Sequence, residues 1–278
     1  MNAGQSARAN LQVIWDDVAA AYEHWYDQFE RDAQPINDWI CRSARLAPGM
    51  QVLDLGSGSG QPAFTAAQFV SPKGSVIATD LSPAMVDALL RRASSTAVAN
   101  LRAQVMDMEK LDFPGESFDA VTCRWGFMWP PDHLKAIAEA HRVLRSQGWL
   151  ATATWDVRKT NPLQGPSVIE RILGPANAAG GVPRVRFDDP QALREMFAQA
   201  GFKNVAIEAV QLRTEYESFE QWWQYSIDSW TTVRKRIQGL AEDELSRLKE
   251  AARAEVETFS INGKLIGPGS CLCLAAQK

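Results

Sequence analysis

The sequence has few of the residues from which disulfide frameworks, metal sites and nucleic-acid interfaces are built. Its 278 residues include four cysteines and three histidines, and its formal net charge is -4. Cysteines this few and scattered predict no disulfide framework, and the distant histidines do not complete a metal site with them. A chain without a broad basic field is not expected to hold nucleic acid. We therefore expect neither a metal ion nor a nucleic-acid partner.

Long apolar runs are also missing. No stretch reaches the roughly 18 consecutive apolar residues of a membrane span, and the first residues lack the apolar core of a signal peptide. We therefore expect a cytoplasmic protein without a membrane span, present as a monomer or a homodimer. The hydrophobic content of 46% with 22% charged residues is ordinary for a globular chain that buries a large core.

The most informative stretch is an apolar run that ends in alternating glycines. Residues 52–55 are followed by Gly56, Gly58 and Gly60, and a helical pattern begins at Gln61. We interpret this stretch as the first strand of an open α/β sheet, a tight turn and the start of a helix. Glycines let the backbone bend and let a ligand approach closely, and a helix start offers unpaired N–H groups. The turn is therefore a predicted ligand-binding loop.

A carboxylate in the next β-type segment narrows the choice of ligand. Residues 75–79 are followed by Asp80. Its separation from Gly60 in the sequence is the one at which an acid can bind both hydroxyls of a ribose. A nucleoside is therefore the expected ligand, although the glycines alone do not decide which cofactor carries it. The dinucleotide motif G-x-G-x-x-G fails when started at Gly56 and passes in a relaxed form from Gly58. An NAD(P)-dependent oxidoreductase thus stays open at this point.

Five segments in the right order resemble the class I S-adenosylmethionine-dependent methyltransferases. They are the acid-x-Gly-x-Gly-x-Gly motif from Asp54, the acid Asp80, the segments 106–114 and 117–121, and a helix-to-strand junction at residues 142–148. The closest resemblance is to the ubiquinone/menaquinone-biosynthesis-like small-molecule methyltransferases, over about residues 15–213 and a final strand. It implies an α/β, Rossmann-like seven-stranded sheet with helices on both faces and a helical insertion before the last strand.

The resemblance also implies S-adenosyl-L-methionine as cofactor and assigns residues to it. Asp80 would bind the ribose, Asp107 and the backbone of Met108 the adenine, and Tyr22 would lie on a segment that folds over the cofactor. The predicted cofactor-binding residues are Tyr22, Asp54, Gly56, Ser57, Gly58, Gly60, Asp80, Leu81, Met85, Asp107, Met108, Arg124 and Trp125.

Aromatic residues are concentrated where we expect a second molecule to bind. The loop after the fourth strand is more apolar than a loop needs, which favours a pocket wall. Two amphipathic patterns at residues 218–259 are either packed structural helices or a lid over the substrate. The predicted pocket residues are Trp25, Phe127, Trp129, Trp222, Trp223 and Ser226, with Trp230 as a further candidate. His24 and His133 are the candidate general bases if the acceptor is a hydroxyl.

These patterns divide the chain into three regions. Residues 1–45 form a helical segment that covers cofactor and substrate, after a loose tail over residues 1–9. Residues 46–156 form the S-adenosylmethionine-binding core. Residues 157–278 complete the sheet, with a glycine- and proline-rich connection at residues 174–183 and a helical substrate lid at residues 217–260. We predict in-line methyl transfer to a small aromatic or apolar molecule; a non-catalytic S-adenosylmethionine-binding protein remains an alternative beside the oxidoreductase.

Overall fold

The computed structural model describes residues 3–156, 159, 161–174 and 187–278. Beyond Gly174, the predicted glycine- and proline-rich connection lies outside these residues. Within the described part of the chain, no helix is both long enough and apolar enough to cross a bilayer.

One mixed sheet organises the described structure. Its strand order is β3-β2-β1-β4-β5-β8-β6, and the two-residue β7 pairs only with β8. β1 to β5 run parallel to one another, whereas β8 is antiparallel to both β5 and β6. This arrangement confirms the predicted Rossmann-like sheet. The strands are β1 (Gln51–Leu55), β2 (Ser75–Asp80), β3 (Leu101–Val105), β4 (Phe118–Arg124), β5 (Leu144–Trp155), β6 (Lys203–Tyr216), β7 (Ser260–Ile261) and β8 (Lys264–Gln277).

Helices cover both faces of the sheet because successive strand residues point to opposite sides. On one face Val52 packs with residues of α2, α3 and α4, and on the other Leu53 packs with α5 and α7. A third apolar cluster joins α6, α8, α9 and α10. The helices are α1 (Ala3–His24), α2 (Tyr26–Ser43), α3 (Ala63–Val70), α4 (Pro83–Ser95), α5 (His133–Val143), α6 (Gly165–Leu173), α7 (Pro190–Gln199), α8 (Phe219–Ser229), α9 (Thr231–Gln238) and α10 (Glu242–Val256).

The N-terminal region differs from its prediction. Helix α1 already begins at Ala3, so residues 3–9 are not a loose tail. The apolar periodicity of residues 10–30 predicts one continuous helix, and a second is predicted from Pro35 to Leu46, but the structure breaks the first at Trp25 and begins α2 at Tyr26, so that α2 runs through Pro35. Its buried residues recur at helical spacing on both sides of Pro35, and burying that face outweighs the hydrogen bond that proline cannot donate.

The insertion before the last strand also differs in detail. The sequence predicts two helices, but the first pattern is divided into α8 and α9 by the extended backbone of Trp230 (φ -132°, ψ 100°). Trp222 is fully buried in the third apolar cluster, and its indole N–H donates to the Leu163 carbonyl at 2.8 Å. The apolar stripe of α8 is therefore mainly the core of the insertion.

This burial predicts that Trp222→Ala lowers the free energy of unfolding by about 3–5 kcal/mol, because it leaves a large cavity and an unpaired carbonyl. Urea denaturation measures the change. Val13→Ala serves as the control, since Val13 is 66% exposed and its truncation should change stability by less than about 0.5 kcal/mol. A change below about 1 kcal/mol in Trp222→Ala would contradict the assignment of this side chain to the core.

Candidate active site

A cavity opens where the parallel strands end and the strand order reverses, between β1 and β4. This is where open α/β sheets bind their ligands. Helices α1 and α2 and the insertion close the cavity from outside. Its lining residues are Arg8, Leu11, Trp15, Tyr22, Phe29, Glu30, Gly56, Ser57, Gly58, Ser59, Gln61, Asp80, Leu81, Met85, Met106, Asp107, Met108, Glu109, Arg124, Trp125, Gly126, Trp129, Pro130, Pro131, Trp155, Tyr225 and Trp230.

The glycine turn after β1 forms the floor of this cavity. Gly56 and Gly58 have φ angles of +63° and +51°, in the left-handed region that favours glycine. A Cβ atom built on Gly58 would meet no atom within 4 Å, so open space lies above its backbone. Gly60 differs, because a Cβ there would lie 2.2 Å from Phe64 Cε2. Gly60 therefore permits close packing against α3 and is absent from the cavity wall.

Asp80, at the end of β2, connects this turn to the start of α4. Its Oδ2 accepts from the Gly58 N–H at 2.8 Å, and its Oδ1 accepts from the Ser82 N–H at 2.9 Å. Burial raises the pKa of Asp80, while these backbone hydrogen bonds oppose the rise. An ionised carboxylate has about four lone-pair sites, and two are used here. Asp80 can therefore accept two more hydrogen bonds from a ligand in the cavity.

Asp54 lies beneath the turn rather than on the cavity wall. Its side chain is fully buried, Oδ1 accepts from Thr122 Oγ1 at 2.6 Å, and Oδ2 has no hydrogen-bond partner among the described residues. Burial raises the pKa of Asp54 to about 7, although the hydrogen bond from Thr122 opposes the rise. The turn therefore rests on a carboxyl group that titrates near neutral pH.

Two acidic residues, Asp107 and Glu109, follow β3. The Asp107 Oδ1 accepts from the Glu109 N–H at 2.8 Å, and Asp107 lines the cavity together with Met106, Met108 and Glu109. Arg8 of α1 forms ion pairs with both carboxylates. The predicted adenine-binding segment is thus polar and is closed from outside by the first turns of α1.

A buried ion pair stands at the end of β4. Arg124 donates from both Nη atoms to the two Glu30 oxygens at 2.5 and 2.6 Å, and to Asn37 Oδ1 at 2.8 Å. Burial lowers the pKa of Arg124, but the Glu30 carboxylate outweighs this and the net direction is upward. Arg124 Nε is buried with no hydrogen-bond partner in the described chain. Glu30 of α2 and Arg124 of β4 therefore place a fixed pair of opposite charges at the cavity.

Six aromatic rings follow one another along the cavity wall. Each contacts the next at a centroid distance of 4.3 to 5.9 Å, mostly edge to face, and the last two are stacked in parallel. We call this set the aromatic wall. In order, its members are Trp129, Trp15, Tyr22, Phe29, Trp125 and Trp155.

The insertion adds two further rings to the cavity, Tyr225 of α8 and Trp230 at the break before α9. Burial raises the pKa of Tyr22 to about 12, which keeps its hydroxyl protonated at neutral pH. The aromatic rings of the cavity therefore come from α1, α2, the loop after β4, the end of β5 and the insertion, whereas its polar groups come mainly from the strand ends.

The structure brings most of the predicted cofactor-binding residues together. Eleven of them line the cavity, and Asp54 and Gly60 support it from behind. Of the predicted pocket residues, Trp129 lines it. The others lie elsewhere: Trp25 donates its indole N–H to Asp228 at 3.0 Å, Phe127 packs in the core behind β4, and Trp222, Trp223 and Ser226 are buried in the insertion.

Neither candidate base lies on the cavity wall. His24 is exposed at the end of α1, where its ring packs edge to face on Trp25 at 4.8 Å. His133 is buried, and its Nδ1 lies 2.9 Å from the Phe127 carbonyl oxygen. Burial lowers the pKa of His133. Both rings are held by local packing, so we assign neither a role at the cavity.

Several lining residues were not predicted as site residues, notably Arg8, Trp15, Phe29, Glu30 and Trp155. Trp15 and Phe29 lie in the periodic apolar pattern of residues 10–30, which is rich in aromatic residues and could have identified them. Arg8 and Glu30 are charged residues on helices, and such residues are usually solvated. Across the described residues, no group of three histidine, cysteine or acidic side chains could hold a metal ion.

The raised pKa of Asp54 has a consequence for stability. Between about pH 4 and pH 7 the folded protein retains a proton that the unfolded chain releases, so the free energy of unfolding falls as pH rises through this window. Asp54→Asn cannot ionise and keeps an oxygen that accepts from Thr122. We expect its stability relative to wild type to increase by about 1–3 kcal/mol from pH 5 to pH 8.

Urea denaturation of the ligand-free proteins at several pH values measures this difference. The exposed Asp112→Asn is the control and should parallel wild type across the range. A constant difference between Asp54→Asn and wild type would show that the Asp54 carboxyl is already ionised at pH 5.

Comparison with known proteins agrees with this geometry. Residues 52–148, from β1 into β5, match a family described as a methyltransferase domain. An arsenite methyltransferase of Halobacterium salinarum is 31% identical over 63% of this chain, and the match covers 43% of that protein, less than half its length. A nocamycin O-methyltransferase of Saccharothrix syringae is 27% identical over 69% of this chain and 72% of its own.

The fold is shared with solved structures as well. The YcgJ protein of Bacillus subtilis superposes with a TM-score of 0.59 at 20% identity, over 87% of this chain and 97% of its own. The family match covers the glycine turn, Asp80 and Asp107. The ordered motifs, the strand order and these matches agree on an α/β, Rossmann-like methyltransferase fold, within which residues 52–148 are similar to the methyltransferase-domain family.

Proposed function

We propose that this chain transfers a methyl group from S-adenosylmethionine to a small acceptor with flat or apolar character. The observation that carries the proposal is the pairing of the open glycine turn with Asp80 at the carboxyl edge of the sheet. Space above Gly58 admits a ligand against the backbone, and Asp80 keeps capacity to accept hydrogen bonds from two hydroxyls.

The remaining parts of the donor have matching partners along the cavity. Asp107 and the backbone of Met108 would hold the adenine, and Leu81 and Met85 would provide apolar contact to it. At the other end, Arg124 carries the charge that suits a carboxylate, and Glu30 beside it carries the charge that suits an ammonium. The unpaired buried Nε of Arg124 is consistent with a partner that the chain itself does not provide.

When bound, S-adenosylmethionine supplies a methyl group on a positively charged sulfur, which is already electrophilic. The protein then has to place the acceptor and exclude water, and correct placement alone can contribute about 7–11 kcal/mol in favourable cases. In this chain the aromatic wall, Tyr225 and Trp230 would orient a flat acceptor and keep water out. No histidine lines the cavity, so the proposal uses no histidine base.

The names of the relatives point to different acceptors, and the cavity favours one kind over the other. Arsenic is a soft centre of the kind that thiolates bind. All four cysteines here are buried and free, and none lines the cavity. Rings along one wall fit an organic acceptor, as the name of the nocamycin O-methyltransferase describes for that protein. We therefore propose an organic acceptor and no arsenite chemistry.

Donor binding is tested with Asp80→Asn, which replaces the ribose-binding carboxylate by an amide. We expect the affinity for S-adenosylhomocysteine to fall by about 1–3 kcal/mol, because hydrogen bonds to a charged acceptor are lost. Titration calorimetry measures it. Asp87→Asn on the exposed side of α4 is the matched control and should bind like wild type.

The same titrations separate the alternatives. Binding of NAD in place of S-adenosylhomocysteine would favour the oxidoreductase. Binding of S-adenosylmethionine without transfer of a labelled methyl group to any flat aromatic acceptor in a broad panel would favour the non-catalytic protein.

The acceptor side is tested with Trp230→Leu, which removes a ring of the insertion from the cavity. We expect KM for the acceptor to rise about tenfold, since burying one aromatic ring contributes about 1–2 kcal/mol, while the Kd of the donor stays within about twofold. Trp39→Leu is the control, because Trp39 is also half-buried but lies on α2 away from the cavity. Equal effects of both variants would remove Trp230 from the acceptor site.

A further inference from the structure

A basic side chain from the first turns of α1 reaches the acidic segment after β3. Arg8 Nε lies 2.9 Å from Asp107 Oδ2, and its Nη2 contacts Glu109 Oε2. Glu109 is 1% exposed, and its Oε1 accepts from the Asp132 N–H at 3.1 Å. Arg8, Asp107 and Glu109 all line the cavity. One guanidinium therefore pairs with two carboxylates on the cavity wall, and this group of three retains one formal negative charge.

The two oxygens of the Asp107 carboxylate have different partners. Its Oδ1 accepts from the Glu109 N–H at 2.8 Å, whereas its Oδ2 is in ion-pair contact with Arg8 Nε, which makes no hydrogen bond among the described residues. The guanidinium is planar and reaches both acids in one geometry, which a compact ammonium cannot reproduce. The side chain of Asp107 remains 29% exposed, so it is held in place and still accessible.

We propose that Arg8 is a positioning residue for the nucleobase and holds Asp107 so that it accepts a hydrogen bond from an exocyclic amino group. The inference rests on the proposed function, because it takes the nucleoside of S-adenosylmethionine as the occupant. It extends the donor site to the first turns of α1, where the sequence predicts a loose tail.

A second ion pair on the same helix distinguishes positioning from simple attachment of α1. Glu23 accepts from Arg91 Nε and Nη2 of α4 at 3.0 and 2.7 Å, and neither residue lines the cavity. If Arg8 only fastened α1 to the core, Arg8→Ala and Arg91→Ala would weaken donor binding alike. If Arg8 positions Asp107, only Arg8→Ala should alter recognition of the amino group.

The experiment compares S-adenosylhomocysteine with its analogue that carries hydrogen in place of the purine 6-amino group. We expect wild type to bind the analogue about tenfold more weakly, as for loss of one hydrogen bond to a charged group. In Arg8→Ala we expect the Kd of S-adenosylhomocysteine to rise about tenfold and the ratio between the two ligands to fall toward one. Arg91→Ala should keep the wild-type ratio.

Arg8→Ala leaves the Glu109 carboxylate buried without its cation, which endangers folding. The double variant Arg8→Ala/Glu109→Gln removes that charge, and thermal unfolding of each protein checks that it is folded. A wild-type ratio in the folded double variant, equal changes in Arg91→Ala, or a wild type that binds both ligands alike would overturn the positioning role. A wild type that binds no S-adenosylhomocysteine at all would instead contradict the proposed function.

Discussion

The hydrogen bond from the Gly58 N–H to Asp80 Oδ2 joins the two halves of the site. It forms because β1 and β2 are paired in parallel register, with Leu55 opposite Thr79, so that the glycine turn and Asp80 meet at one edge. The same carboxylate accepts from the N–H of Ser82, whose hydroxyl caps α4 and donates to Asp16 of α1. One hydrogen-bond network therefore connects the glycine turn, Asp80, α4 and α1.

The site is divided between a part that the sheet fixes and a part that the outer helices provide. Strand ends supply the polar groups of the site. The distances between these groups are set by the pairing of the strands. The aromatic wall comes from α1, α2, the loop after β4 and the end of β5, and the insertion adds two further rings to the cavity. Elements outside the sheet tolerate substitution more easily than paired strands. We therefore expect related proteins to share the proposed donor site and to differ from one another in the proposed acceptor site.

The sequence predicted the sheet side of the site better than the helix side. Gly56, Gly58, Asp80 and Asp107 follow strand ends, and parallel strand ends meet at one edge whatever the helices do. An amphipathic stripe shows that a helix face is buried, but not which element covers it. Trp222 and Trp230 belong to the same stripe, and only the break between α8 and α9 turns Trp230 into the cavity while Trp222 remains in the core.

The charges of the cavity suit the proposed donor better than they suit the product left after transfer. Four carboxylates and two guanidinium groups line it, which leaves a formal excess of two negative charges. S-adenosylmethionine carries one net positive charge, because its sulfonium adds to a zwitterionic amino acid, whereas S-adenosylhomocysteine is neutral overall. In a cavity partly shielded from water, this difference acts through a reduced dielectric and favours the charged ligand. The acids that we propose bind the nucleoside would therefore also favour exchange of spent donor for fresh donor.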